Sequence, residues 1–96
     1  MPKVVLAPDV LDDFDRILDH LKRFEIEDGA ARIAGIVAAF QLLTHSPLIG
    51  RLSQGGNREL VIGHGSRGYV ALYRYNSGAD TVFILAVRSQ LELGYK

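Results

Sequence analysis

Apolar and polar positions change their period once along this chain, from helical spacing in the first half to strand alternation in the second. Val10, Phe14, Ile17, Leu21 and Phe24 recur at three- and four-residue intervals, with Leu11 and Leu18 beside them, while Asp12, Asp15, Asp19 and Lys22 take much of the other side. That spacing predicts an amphipathic helix of about four turns. Asp9 is placed to cap its start, and Asp12 lies in the first turn, where the helix dipole favours acids. Glu27-Asp28-Gly29 interrupts the pattern. A second helix is predicted from Ala30 to Thr44, with Ile33, Ile36, Val37, Phe40 and Leu43 as its stripe. Its alanines favour helix and let it lie close to a neighbour, and the short break predicts an antiparallel helical hairpin.

His45-Ser46-Pro47 ends the second helix, and Leu48 to Asn57 reads as a loop rich in Gly, Ser and Asn. From Arg58 onward the β-branched and aromatic residues gather into three runs: Leu60 to Ile62, Tyr69 to Tyr75 and Thr81 to Val87. Gly63, Gly65 and Gly68 break the first pair and Asn76-Ser77-Gly78 the second, as hairpin turns require. A further β-prone run, Lys3 to Ala7, is stopped by Pro8. The predicted order is β-α-α-β-β-β, an α+β fold with the helical hairpin packed on a small antiparallel sheet, in a single domain spanning residues 1–96.

Composition narrows the possibilities. Nearly half of the 96 residues are hydrophobic, enough for one small core, and none is cysteine, which excludes disulfides, thiolate metal sites and cysteine nucleophiles. No apolar run approaches a membrane span and the start shows no signal-peptide pattern, so a cytoplasmic protein is expected. Net charge is zero but unevenly spread. Residues 1–28 carry eight acids against four bases, and the remainder three acids against seven bases, giving halves of −4 and +4. An acidic helical face and a basic sheet face would suit two different partners.

Gly63-His64-Gly65-Ser66-Arg67-Gly68 matches G-x-G-x-x-G by letter, but a strand follows it rather than the helix whose amides would hold a pyrophosphate. His20, His45 and His64 lack a ligand partner at helical spacing. No cofactor and no metal are expected. Tyr69, Tyr73 and Tyr75 alternate on one face and read as core residues with hydroxyls at the rim. Arg74 shares a face with Val70 and Leu72 by alternation, and Arg88 one with Val82, Ile84 and Ala86. Each closes an otherwise apolar row, where it either binds a partner or pairs with an acid such as Glu59 or Glu92. Hairpin register decides whether the two arginines share a face.

The order and spacing of several segments resemble the RelE/ParE toxin superfamily over essentially the whole chain. These are the Ala-rich helix ending in His45-Ser46-Pro47-Leu48-Ile49-Gly50-Arg51, then Arg58-Glu59-Leu60, then Gly68-Tyr69-Val70-Ala71-Leu72-Tyr73-Arg74-Tyr75, and the close from Leu85 through Tyr95. The resemblance implies a toxin neutralised by a small antitoxin encoded beside it. It also implies one of two activities: RelE-like cutting of messenger RNA on the ribosome, or ParE-like poisoning of DNA gyrase without nuclease chemistry.

RelE-like nucleases place an arginine just after the Gly-Tyr of the central strand, where this chain has Val70, and they are strongly basic where this chain is neutral. Relatives also tend to end in a basic Arg-His-Gln-Arg run, in which Ser89 and Leu91 here replace the histidine and second arginine. The ParE-like reading is therefore favoured. Arg58, Arg74, Arg88, Gln90 and Tyr95 are the expected target-binding residues, and Phe14, Leu18 and Phe40 the expected lining of an antitoxin groove. In the ribonuclease alternative Arg58, Arg74, Arg88 and Tyr95 would carry the catalysis. A degenerate toxin that only binds antitoxin is the third reading.

Overall fold

The computed structural model describes residues 1–24, 28–63 and 68–90. Strand β1 (Lys3–Leu6) leads into helix α1 (Pro8–Arg23), followed by α2 (Gly29–Phe40) and the one-turn α3 (Leu42–His45). Strands β2 (Arg51–Leu52), β3 (Arg58–Ile62), β4 (Tyr69–Asn76) and β5 (Thr81–Ser89) complete the chain, with a 3₁₀ turn at Gln54–Gly56. The sheet order is β1-β5-β4-β3-β2. β2 to β5 run antiparallel to their neighbours, and β1 joins the far edge parallel to β5. The sheet is therefore mixed. The helices between β1 and the meander return the chain so that β1 can lie alongside β5.

The α+β class, the two main helices and the three long strands agree with the sequence reading; the sheet expected to be antiparallel is mixed, because β1 joins it parallel to β5, and several local features differ. Helix α1 starts at Pro8, with Ala7 as the extended N-cap and no side-chain cap. Proline supplies the helical φ and has no N–H to leave unpaired, so Asp9 falls inside the first turn instead of capping it. The second predicted helix breaks at Gln41, separating α2 from α3. The loop from Leu48 contains the two-residue strand β2, paired to Arg58 and Glu59. In the β4–β5 turn the left-handed residue is Asp80, not Gly78. The Tyr75 hydroxyl donates to Asp80 at 2.7 Å and the Ala79 N–H donates to Asn76 Oδ1 at 3.0 Å.

One hydrophobic core lies between the helices and one sheet face. Val10, Phe14, Ile17 and Leu21 of α1 meet Ile36 and Phe40 of α2, Leu43 of α3, and Leu60, Tyr69, Ala71, Tyr73, Val82, Ile84 and Val87 of the sheet. Tyr73 is fully buried, and its hydroxyl sits in the interior rather than at the rim, accepting the Gly50 N–H at 2.8 Å. A Cβ at Gly50 would lie 2.7 Å from that hydroxyl, from Tyr73 Cε1 and from the Glu59 carbonyl oxygen, so only glycine lets the loop approach this closely.

A β-bulge between β4 and β5 decides which side chains share a face. Leu72 pairs with Ala86 but Tyr73 pairs with Ile84, leaving Leu85 as the extra residue. Val82 and Ile84 face the helices before it and Val87 after it. Arg88 therefore shares a face with Ala86, and with Val70 beside it on β4, but not with Val82 and Ile84 as strict alternation predicts. Arg74 follows Val70 and Leu72 in alternation, which places Arg74 and Arg88 on the same sheet face, away from the helices.

Candidate partner-binding face

The sheet face opposite the helices is built from cross-strand rows. Arg51, Glu59, Leu72 and Ala86 are successive partners across β2, β3, β4 and β5, and Val61, Val70 and Arg88 form the next row. Val5, Phe83 and Arg74 form a third on the other side of the bulge. Side chains paired across strands stand within contact distance, so these rows make one continuous surface. Its centre is a cavity of about 300 Å³ lined by Ser53, Glu59, Val70, Leu72, Ala86 and Arg88. The floor is apolar. Glu59 and Arg88 are the carboxylate and the guanidinium in its lining, and Glu59 is ion-paired to Arg51 at 3.4 Å.

Arg74 extends the surface past Leu72. Its Nε donates to Asn57 Oδ1 at 2.9 Å and its Nη2 donates to the Gly55 carbonyl, tying β4 to the 3₁₀ turn. Gln90 lies just after β5 with its N–H on the Gly68 carbonyl at 2.9 Å. The Gln90 side chain covers Gly68 where a Cβ would otherwise stand. Arg58 belongs elsewhere. It pairs with Tyr73 and shares the helix-side face, where its Nη1 donates to the carbonyls of Leu48 (3.0 Å) and Gly50 (2.8 Å). Of the predicted target-binding set, the fold thus brings Arg74, Arg88 and Gln90 to one face and separates Arg58 from them. Tyr95, Leu91 and His64 lie outside the described residues.

The predicted antitoxin groove needs correction. Phe14 and Phe40 are core residues, 8% and 2% exposed. Their rings are already covered by each other's helices and the sheet, which leaves no surface for a partner. Leu18 is half-buried and packs toward Gly29, with a Cβ there meeting Leu18 Cδ2 at 3.0 Å. A periodic apolar stripe marks the face a helix buries, and here the chain's own sheet fills that role.

Asp13 is the residue that sequence reasoning passed over. It lies on the buried stripe with Val10, Phe14 and Ile17, and its side chain is only 6% exposed. β1 covers the edge of β5 as far as Ile84, whose carbonyl accepts the Ala7 N–H at 2.9 Å. Beyond that point α1 takes over. Asp13 Oδ2 accepts the Val87 N–H at 2.9 Å, and Oδ1 accepts Arg16 Nη1 at 2.7 Å and Arg88 Nη1 at 2.6 Å. Arg16 Nη2 and Arg88 Nη1 also reach the Val87 carbonyl, at 3.2 and 3.1 Å. Burial pushes the Asp13 carboxyl up, but the hydrogen bonds from Arg16 and Val87 and the charges of Arg88 and Arg16 outweigh it, holding it below the usual carboxylate value. Among the described residues the acid that Arg88 pairs with is thus Asp13, not Glu59, while Glu92 lies outside them. A carboxylate within an otherwise apolar i, i+3, i+4, i+7 stripe was the available signal.

The architecture recurs in chains of bacterial toxin–antitoxin systems. A chain of the chromosomal ParDE toxin–antitoxin system from P. aeruginosa superposes with a TM-score of 0.75 at 22% identity, over 93% of this chain and 96% of that one. A chain of the RelBE2 toxin–antitoxin complex from Mycobacterium tuberculosis gives 0.60 at 24% identity, over 93% and 99%. No curated protein matches in sequence. The family of ParE toxins of type II toxin–antitoxin systems matches residues 4–94. The chain belongs to that family.

Proposed function

We propose that this toxin acts by binding rather than by cutting RNA: its open sheet face engages DNA gyrase and traps it on cleaved DNA, and a cognate antitoxin neutralises it by covering that face. The observation that carries the reading is Val70 beside Arg88 on the floor of the cavity. In-line attack by a ribose 2′-OH needs a base, an acid and cations around the phosphorane. An apolar floor, with the lining carboxylate paired to Arg51 and the lining guanidinium paired to Asp13, suits burial of a partner's side chains. Family membership supports an antitoxin as the second partner.

Expression of the chain alone should arrest bacterial growth, and co-expression of the protein encoded beside it should restore growth. The purified toxin should inhibit gyrase supercoiling or accumulate cleaved DNA while leaving messenger RNA on programmed ribosomes intact. Cleavage of that RNA at the ribosomal A site, with gyrase unaffected, would overturn the proposal in favour of a ribonuclease. Unimpaired growth at confirmed soluble expression would indicate a toxin that retains only antitoxin binding.

A further inference from the structure

We propose that Asp13 is a positioning residue, whose carboxylate, delivered from α1 around the edge of β5, holds the Arg88 guanidinium at the rim of the open-face cavity. The inference rests on the reading of that face as the partner-binding surface. Arg88 is the last residue of its row, and a long, part-exposed side chain there would sample many rotamers in water. Asp13 removes that freedom. Its side chain is 6% exposed against 43% for Arg88, so the anchor is rigid and the anchored group remains accessible.

The geometry also selects which part of Arg88 meets a partner. Both of its intramolecular hydrogen bonds, to Asp13 Oδ1 and to the Val87 carbonyl, use Nη1. Among the described residues no acceptor meets Nε or Nη2, leaving a planar edge with three N–H donors for a carboxylate or phosphate oxygen pair. Arg16 shares Asp13 Oδ1, so two guanidiniums flank one carboxylate. A fixed cation costs less ordering on association than a mobile one.

Two measurements test this. In the free toxin labelled with ¹⁵N, the Arg88 Nε–H resonance, assigned through Arg88→Lys, should be shifted away from the free-arginine position, because the Nη1 hydrogen bonds hold the guanidinium in one environment. In Asp13→Asn, which retains an oxygen for the Val87 N–H, it should move to the position of a free arginine. In gyrase inhibition, Asp13→Asn should raise the half-inhibitory toxin concentration about fivefold, as the cost of ordering one freed side chain on association predicts. It should change it less than about twofold in an Arg88→Ala background, as coupled residues require. Arg16→Gln, which removes the other guanidinium from the same oxygen, should leave inhibition within about twofold of wild type. Additive losses from Asp13→Asn and Arg88→Ala, or an Arg16→Gln effect equal to that of Asp13→Asn, would refute the proposal and leave Asp13 a purely structural cap. If wild-type toxin spares gyrase, the target assignment fails by itself. An unchanged Nε–H resonance in Asp13→Asn then still refutes positioning, and its collapse still upholds it.

Discussion

Replacing Tyr73 by phenylalanine removes one oxygen from the centre of the molecule and should destabilise it far more than the same change at Tyr75. Tyr73 is fully buried, and its hydroxyl is the acceptor for the Gly50 N–H at 2.8 Å. Gly50 is itself buried, so the truncation leaves a backbone donor without water or partner. Such an orphaned group costs about 1–3 kcal/mol. Taking about 2 kcal/mol, and roughly 4–8 °C per kcal/mol for a domain of this size, the midpoint should fall by roughly 8–16 °C. Gly50→Ala probes the same contact from the other side. Its Cβ would stand 2.7 Å from two atoms of Tyr73 and from the Glu59 carbonyl oxygen, against 3.4 Å or more for ordinary contact. The tyrosine has no room to retreat, so overpacking of about 1–3 kcal/mol is expected. Tyr75→Phe breaks an exposed bond to Asp80 and serves as the control, with a shift of a few degrees at most. The assay is thermal unfolding of the purified toxin followed by circular dichroism. Equal midpoints for Tyr73→Phe and Tyr75→Phe would refute the claim that the Gly50–Tyr73 bond anchors the loop to the sheet.

Two further outcomes follow from named contacts. Because the Asp13 carboxyl is held below its unfolded value, its stabilisation is present above about pH 4, the unfolded carboxylate range, and is lost as pH falls through the folded value. Acid unfolding curves of wild type and Asp13→Asn should therefore converge below that range, and parallel curves down to the lowest pH would contradict it. Arg58 and Arg74 should separate by phenotype: Arg58→Ala removes two carbonyl contacts on the helix side and should lower stability by about 1–2 kcal/mol in urea unfolding, whereas Arg74→Ala, on the exposed face, should cost less than about 1 kcal/mol yet weaken gyrase inhibition. The reverse pattern would mean that the two faces have been assigned to the wrong roles.

Local periodicity was enough for the elements and their class. The three- and four-residue spacing from Val10 to Leu21, the alanines of α2 and the β-branched runs after Arg58 each bias a short stretch of backbone, and such biases act over a few residues. The whole-chain resemblance to RelE/ParE toxins was legible for the same reason, since it rests on the order and spacing of those stretches, and the family match over residues 4–94 agrees with it. What periodicity could not specify was pairing. The parallel docking of β1 on β5 joins residues nearly eighty positions apart, Lys3 with Thr81. One extra residue at Leu85 reverses the alternation over the rest of β5 and brings Arg88 onto the face of Val70 and Arg74. Phe14 and Phe40 looked available for a partner only while the sheet that covers them was out of view. Asp13 looked like one more acid on an acidic helix, and became the cap of β5 and the anchor of Arg88 only when α1 was laid along that strand's uncovered edge. Helix and strand are properties of neighbours in sequence, whereas a shared face, a buried carboxylate and its two arginines depend on long-range packing that no local pattern encodes.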